Sequence, residues 1–339
     1  MPSPPQDQAA PTAAPRVVAV VVTWNRRELL AEAVDAVTKQ VPSPDVVVVV
    51  DNASSDGSPE FVAGRYPDVD LVRLETNTGG AGGFAAGVDR AVLAHGADLV
   101  WLLDDDTVPQ PGALSALLDA RERHPGATPT LLASRVLWTD GRDHPMNTPR
   151  PRPLVRRSAR EAARRVGCVP VRSASFVSVL VDADAVRDRG LPLADYFVWN
   201  DDFEFTTRLL RGRVGLYCPG SRVVHKTRTF GTTDADPGAR FFYEVRNKVW
   251  VYTRSSGLEP AERVLYAGST LRRWARTVAR SSDRGVLWRA AGRGLVVGLR
   301  SGPRDTPTVL AAAGYHVASD AAARDPADDS PGPTGRRHG

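Results

Sequence analysis

The 339-residue chain holds only two cysteines, Cys168 and Cys218. They lack metal-motif spacing and suggest no disulfide framework, which fits a reducing, cytosolic compartment. No apolar run is long enough to cross a bilayer. The N-terminus has no basic segment followed by an apolar one, so no secretory signal is expected. The sequence shows no internal repeats. Positive charge is not spread evenly: the formal net charge of +5 gathers in Arg150–Arg165 and after Arg263. No nucleic-acid partner is expected. What remains is the composition of a globular chain, 42% hydrophobic and 24% charged. Residues 1–15, rich in Pro, Ala and Gln, and 319–339, rich in Asp, Pro and Gly, read as disordered tails.

The central stretch is Leu99–Pro109, an apolar run that ends in Asp104-Asp105-Asp106. Such a run reads as a strand buried on both faces. Ligands of open α/β sheets bind beyond the carboxyl ends of strands. Three adjacent acids there repel unless a cation lies between them, and carboxylates suit Mg²⁺ or Mn²⁺. The plainer alternative is a turn capping a helix that begins near Pro111. Val17–Val22, Val46–Val50 and Val69–Leu74 are further strands, alternating with helices over Glu28–Gln40, from Ser58, and over Gly82–His95. This alternation implies a parallel sheet with right-handed crossovers. Asp51, alone at a strand end, suits a ribose or a base, or else an Asx-turn.

Gly80-Ala81-Gly82-Gly83-Phe84-Ala85 matches the dinucleotide fingerprint G-x-G-x-x-A. It follows the third strand rather than the first, so close approach to a ligand, or tight helix packing, is the better reading. A nicotinamide oxidoreductase is the rival function, and a non-catalytic glycan-binding protein another. Farther on come strands at Leu131–Leu137 and Phe176–Val181, with the long basic loop Asp140–Arg165 between them. Trp199-Asn200-Asp201-Asp202-Phe203-Glu204 leads into a helix over Thr206–Arg211. A carboxylate beside aromatic rings makes a good general base, since burial raises its pKa. A helix cap is the alternative role. A strand over Val214–Tyr217, a turn at Pro219-Gly220 and an extended segment ending at His225 follow.

Taken in order, Val21–Arg26, Val49–Gly57, Asn77–Phe84, Asp104–Asp106, Trp199–Phe205 and His225 resemble the family 2 glycosyltransferases of GT-A fold. Within them the chain is most similar to bacterial galactofuranosyltransferases and rhamnosyltransferases. The resemblance implies an α/β, Rossmann-like, mostly parallel sheet flanked by helices over 16–256. It implies that Thr23, Asn25, Asp51, Gly79, Gly80, Asp104 and Asp105 hold a UDP- or dTDP-linked sugar. Asp104, Asp106 and His225 would bind Mn²⁺ or Mg²⁺, and Asp202 would be the base of an inverting transfer. Either Asp201 or Asp202 could fill that place, and the Asp-Asp-x-acid pattern favours Asp202. Trp199, Asp201, Arg246 and Asn247 would lie near a glycan or lipid-linked acceptor. Thr227–Pro237 reads as a flap. Residues 257–318 form a basic amphipathic helical appendage whose arginines and tryptophans suit an anionic membrane surface. A peripheral place on the cytoplasmic face of the membrane is therefore expected.

Overall fold

The computed structural model describes residues 14–228, 230 and 236–318. The expected tails thus lie outside the described residues, apart from 14–15, and so does much of the expected flap. Strands β1 (Val17–Thr23), β2 (Val46–Asp51), β3 (Asp70–Arg73) and β4 (Leu99–Asp104) run parallel in the order β3-β2-β1-β4. Val18, Val20 and Val22 feed the core on one face, and Val17, Ala19 and Val21 the core on the other. Burial on both faces is why β1, β2 and β4 read as unbroken apolar runs.

Helices α1 (Arg27–Thr38), α2 (Ser58–Arg65) and α3 (Gly79–Asp89) cross between them. Gly57 is the N-cap of α2, and the Ser58 hydroxyl donates to Asp56 Oδ1 at 2.6 Å. The glycine-rich stretch lies within α3, which begins at Gly79 rather than at the expected Gly82. A Cβ at Gly83 would come within 2.4 Å of Val22, and one at Gly87 within 2.3 Å of Val20. The glycines thus let α3 lie flush on β1, and this packing outweighs their poor helix propensity.

Beyond β4 the chain forms β5 (Thr107–Pro109), α4 (Ala113–Glu122), β6 (Leu131–Leu137), β7 (Arg150–Pro151), α5 (Arg157–Arg165), β8 (Val169–Ser173) and β9 (Ser178–Asp182). Then come α6 (Ala183–Arg189), α7 (Asp201–Leu209), β10 (Gly215–His225) and α8 (Phe241–Thr253). The sheet continues β4-β9-β6-β10-β8-β7, with β5 also on β10. β9 is antiparallel to both β4 and β6, whereas β10 is parallel to β6. The sheet is therefore mixed, parallel through its first four strands. The basic loop over Asp140–Arg165 contains β7 and α5, the latter carrying an Arg157–Glu161 pair one turn apart. Pro219-Gly220 is a bulge inside β10, where the pairing jumps from Cys218↔Ser134 to Arg222↔Arg135.

Residues 257–318 form α9 (Pro260–Arg280), α10 (Arg284–Arg300) and α11 (Thr306–Ala311). A reciprocal capping box between Glu259 and Glu262 starts α9, and Glu262 also pairs with buried Arg172 at 2.7 Å. α10 lays Leu287, Ala290, Gly294 and Gly298 toward the interior, against α8. Val309 and Leu310 of α11 return to the core beside α3. The helical region is thus tied to the sheet domain along its length.

Candidate active site

Two pieces of chain meet at the carboxyl end of β4. β5 doubles back from the acidic triplet and pairs antiparallel with β10, setting Thr107 opposite His225. That register brings His225 Nε2 to 2.9 Å from Asp106 Oδ1. Asp104, Asp106 and His225 each offer a ligand atom, all within 4.8 Å of one another. Burial and the nearby Asp106 push Asp104 up to about 7. Burial works against ionised Asp106 too, but His225 and Arg26 hold it below the ordinary carboxylate range. Burial also opposes a charged His225, yet Asp106 and Asp104 keep its pKa raised. Two carboxylates and one imidazole at this spacing, short of positive charge at Asp104, fit a hard divalent cation.

Asn147 lies behind the histidine. Its Nδ2 donates to Ser175 Oγ at 3.2 Å, which turns its Oδ1 toward His225 Nδ1 at 2.9 Å. A proton on Nδ1 then leaves Nε2 as the ligand atom. Nothing in the sequence singled Asn147 out, because the contact spans 78 residues.

Asp105 turns the other way. Its carboxylate accepts from Thr23 Oγ1 at 2.9 Å, the Trp24 amide at 3.2 Å and Arg26 at 3.1 Å. It thereby ties the end of β1 to the acidic triplet, and burial pushes it up to about 6. Asn25 clamps the next loop, accepting the Ser55 amide at 2.7 Å while its own amide donates to Ser54 Oγ. Asp51 accepts the Ser54 amide through Oδ2, and its buried Oδ1 has no partner among the described residues. Asn52 grips Thr78 and Gly79 with one amide group. Gly79 has φ +70°, and a Cβ there would lie 1.9 Å from the Phe197 carbonyl oxygen. Gly80, by contrast, is open and borders the cavity. In the fingerprint match, Gly82 is spent against Thr78 and Ala85 is buried in the core.

That cavity measures about 670 Å³ and is lined by Asp104, His225, Trp199, Asp201 and Asp202 among others. Asp201 and Asp202 form the first turn of α7, rather than preceding a helix, so its dipole favours their charge. The loop before them is strained: Phe197, Trp199 and Asn200 have φ of 63°, 65° and 67°. Arg246 and Asn247 hold this loop instead of lining the cavity. Asn247 Nδ2 donates to the carbonyls of Tyr196, Val198 and Trp199 at 2.8–3.0 Å, and Arg246 to those of Asp195 and Tyr196. Burial raises Asp202, opposed by the Phe203 amide at 2.6 Å and by the charges of Lys248 and Arg150. Asp201, more deeply buried, is raised well above the ordinary range.

Lys248 and Glu244 of α8 complete the wall. Lys248 lies 4.0 Å from the Phe203 ring centre, and burial pushes it down to about 7. Glu244 accepts from Asn200, Arg273 and Trp274, joining the strained loop to α9. The expected membrane residues Arg273 and Trp274 therefore point inward, and both line the cavity.

The model of the glycosyl transferase family 2 matches residues 18–183. A galactofuranosyltransferase GlfT1 of Mycobacterium tuberculosis is 33% identical over 293 residues, covering 80% of this chain and 92% of that protein. An N-acetylglucosaminyl-diphospho-decaprenol L-rhamnosyltransferase of the same species is 26% identical over 234 residues, 61% of this chain and 74% of its own. Among solved structures, S. aureus TarS 1-349 in complex with UDP-GlcNAc superposes with a TM-score of 0.58 at 17% identity, covering 82% of this chain and 80% of that one. GalNAc-T7 with UDP, GalNAc and Mn²⁺ reaches 0.53 at 15% identity, over 82% of this chain and 54% of that one. These likenesses agree with the order of motifs and with the mixed sheet: the chain belongs to the family 2 glycosyltransferases.

Proposed function

We propose that this protein transfers galactofuranose or rhamnose from a UDP- or dTDP-linked donor to a glycan or lipid-linked acceptor, with inversion and with Mn²⁺ or Mg²⁺. The observation that carries this reading is that the Asp104–His225 end and Asp202 open on one cavity. The mycobacterial relatives named for galactofuranosyl and rhamnosyl transfer support the choice of sugar.

Asp104, Asp106 and His225 would hold the ion. Bound there, it supplies Lewis acidity that neutralises the departing diphosphate. The unpartnered Asp51 Oδ1 is the natural acceptor for a base or ribose donor group, and the Asp105-tethered Thr23–Asn25 loop shapes that end. Gly80, open at the N-terminus of α3, lets the chain pass close to the donor. Asp202 takes the proton from an acceptor hydroxyl as that oxygen attacks the anomeric carbon from the face opposite the leaving group. A single displacement of this kind inverts configuration. Trp199 and Asp201 border the acceptor, and holding both sugars in one cavity supplies much of the remaining rate. The enzyme would work at the cytoplasmic face of the membrane.

The test is a nucleotide-sugar panel with Mn²⁺ or Mg²⁺, read as nucleotide released on adding acceptor. A chelator should abolish release. Turnover unaffected by chelator, or a product of retained configuration, overturns the corresponding part of the proposal.

A further inference from the structure

The outer side of α10 is the feature that the site does not use. α10 docks on α8 through small residues: a Cβ at Gly294 would lie 2.6 Å from the Phe242 carbonyl oxygen, and one at Gly298 2.8 Å from Val249. The docked side is thereby fixed, and so is the side left outward. Trp288, Leu295 and Leu299 recur there at helical spacing, and they are 67%, 45% and 57% exposed. Arg289, Arg293 and Arg300 stand exposed beside them. α9 repeats the pattern on its own outer side, with Leu265 and Leu271 exposed beside Arg272 and Arg276. Its inner side supplies Arg273, Trp274 and Thr277 to the cavity wall.

We infer that the outward side of α10, assisted by that of α9, is a docking surface for an anionic phospholipid bilayer. The inference rests on the membrane-side reading proposed above and names the surface and its contacts. An apolar stripe flanked by arginines, on a helix too polar to span, is the pattern of a helix lying in the plane of an interface. Charge decides between a bilayer and a second copy of the chain. Over Arg263–Arg300, seven arginines are exposed (Arg272, Arg276, Arg280, Arg284, Arg289, Arg293 and Arg300) against a single acid, Asp283. Two such surfaces repel each other, whereas an anionic leaflet attracts both. α9 thus shows its outer side to the bilayer and its inner side to the cavity that Asp202 lines.

The test is flotation of the full chain with vesicles of phosphatidylcholine alone or with about a third phosphatidylglycerol. Binding should appear only on the anionic vesicles and fall at least about tenfold between about 0.05 and 0.5 M salt. Two α10 variants, Trp288→Ser/Leu295→Gln/Leu299→Gln and Arg289→Gln/Arg293→Gln/Arg300→Gln, should each lose about tenfold or more. Arg157→Gln/Arg160→Gln/Arg164→Gln on α5 removes the same charge elsewhere and should leave binding within about twofold. Circular dichroism and donor-dependent nucleotide release without lipid establish that each variant is folded. No binding at low salt, equal loss from the α5 variant, or α10 variants that bind like the parent overturn the inference. So does a dimer in sizing that the same α10 changes dissociate. Vesicle binding by a protein inactive on every nucleotide sugar upholds this surface and overturns the proposed function instead.

Discussion

The proposed roles of Asp202, Lys248 and Asn147 can be tested separately. Asp202→Asn keeps the shape of the carboxylate and removes its basicity, so turnover should fall by at least about a hundredfold with donor affinity nearly unchanged. If Asp201→Asn does this instead, the base is one residue earlier. With Asp202 as the proposed base, the acid limb of the turnover profile should report its ionisation. Burial sets that limb above the ordinary carboxylate range, because the base works only when deprotonated. Lys248, charged below about 7, pulls the limb down. Lys248→Met should therefore move the limb to higher pH, and a limb that stays or moves lower contradicts this electrostatic account. Asn147→Ala frees the His225 ring, and Mn²⁺ affinity measured by calorimetry should weaken by about tenfold or more. Unchanged affinity would mean that Asp106 alone orients the imidazole. Asp51, Asp104, Asp106 and Asp202 were legible in the sequence because each stands where an apolar run or an aromatic cluster ends. Asn52, Asn147 and Glu244 were not, since their partners lie tens of residues away and a hydrogen bond of that reach leaves no periodicity.

Elements were legible in proportion to their length and apolar content. Three of the four parallel strands, β1, β2 and β4, announced themselves as apolar runs. β5 and β7 have three and two residues and exist only through their pairing with β10 and β8. β9 was legible as a strand but not as an antiparallel one, because direction is set by topology rather than composition. α3 was legible from Gly82 on but not in its first turn, because a glycine-rich helix is stable only where something packs on it. Gly83→Val should test this, forcing α3 away from Val22. The expected cost is about 1–3 kcal/mol in chemical denaturation, the range for overpacked cores. A variant as stable as the parent would show that α3 moves freely on the sheet.

At the scale of the molecule, the chain closes on itself. α11 and the residues after it carry Val309, Leu310, Ala313 and Val317 back into the core under α3. Tyr315 donates to Asp89 at 2.8 Å from the same segment. Ending the chain after Pro303 should uncover that core and cost at least about 3 kcal/mol, since each large apolar side chain contributes about 1.5–3 kcal/mol. An unchanged denaturation midpoint would make the closing segment dispensable.

α10 has a consequence for mutational tolerance. It holds four glycines, Gly285, Gly292, Gly294 and Gly298. Gly292 has open space where a Cβ would go, whereas Gly294 and Gly298 press on α8. In a saturation library selected for folding, position 292 should accept most residues and gain about 1 kcal/mol from alanine. Two and six positions onward, nearly every codon but glycine should vanish. One short helix thus bears two records of inheritance, one written by its neighbour and the other free to drift.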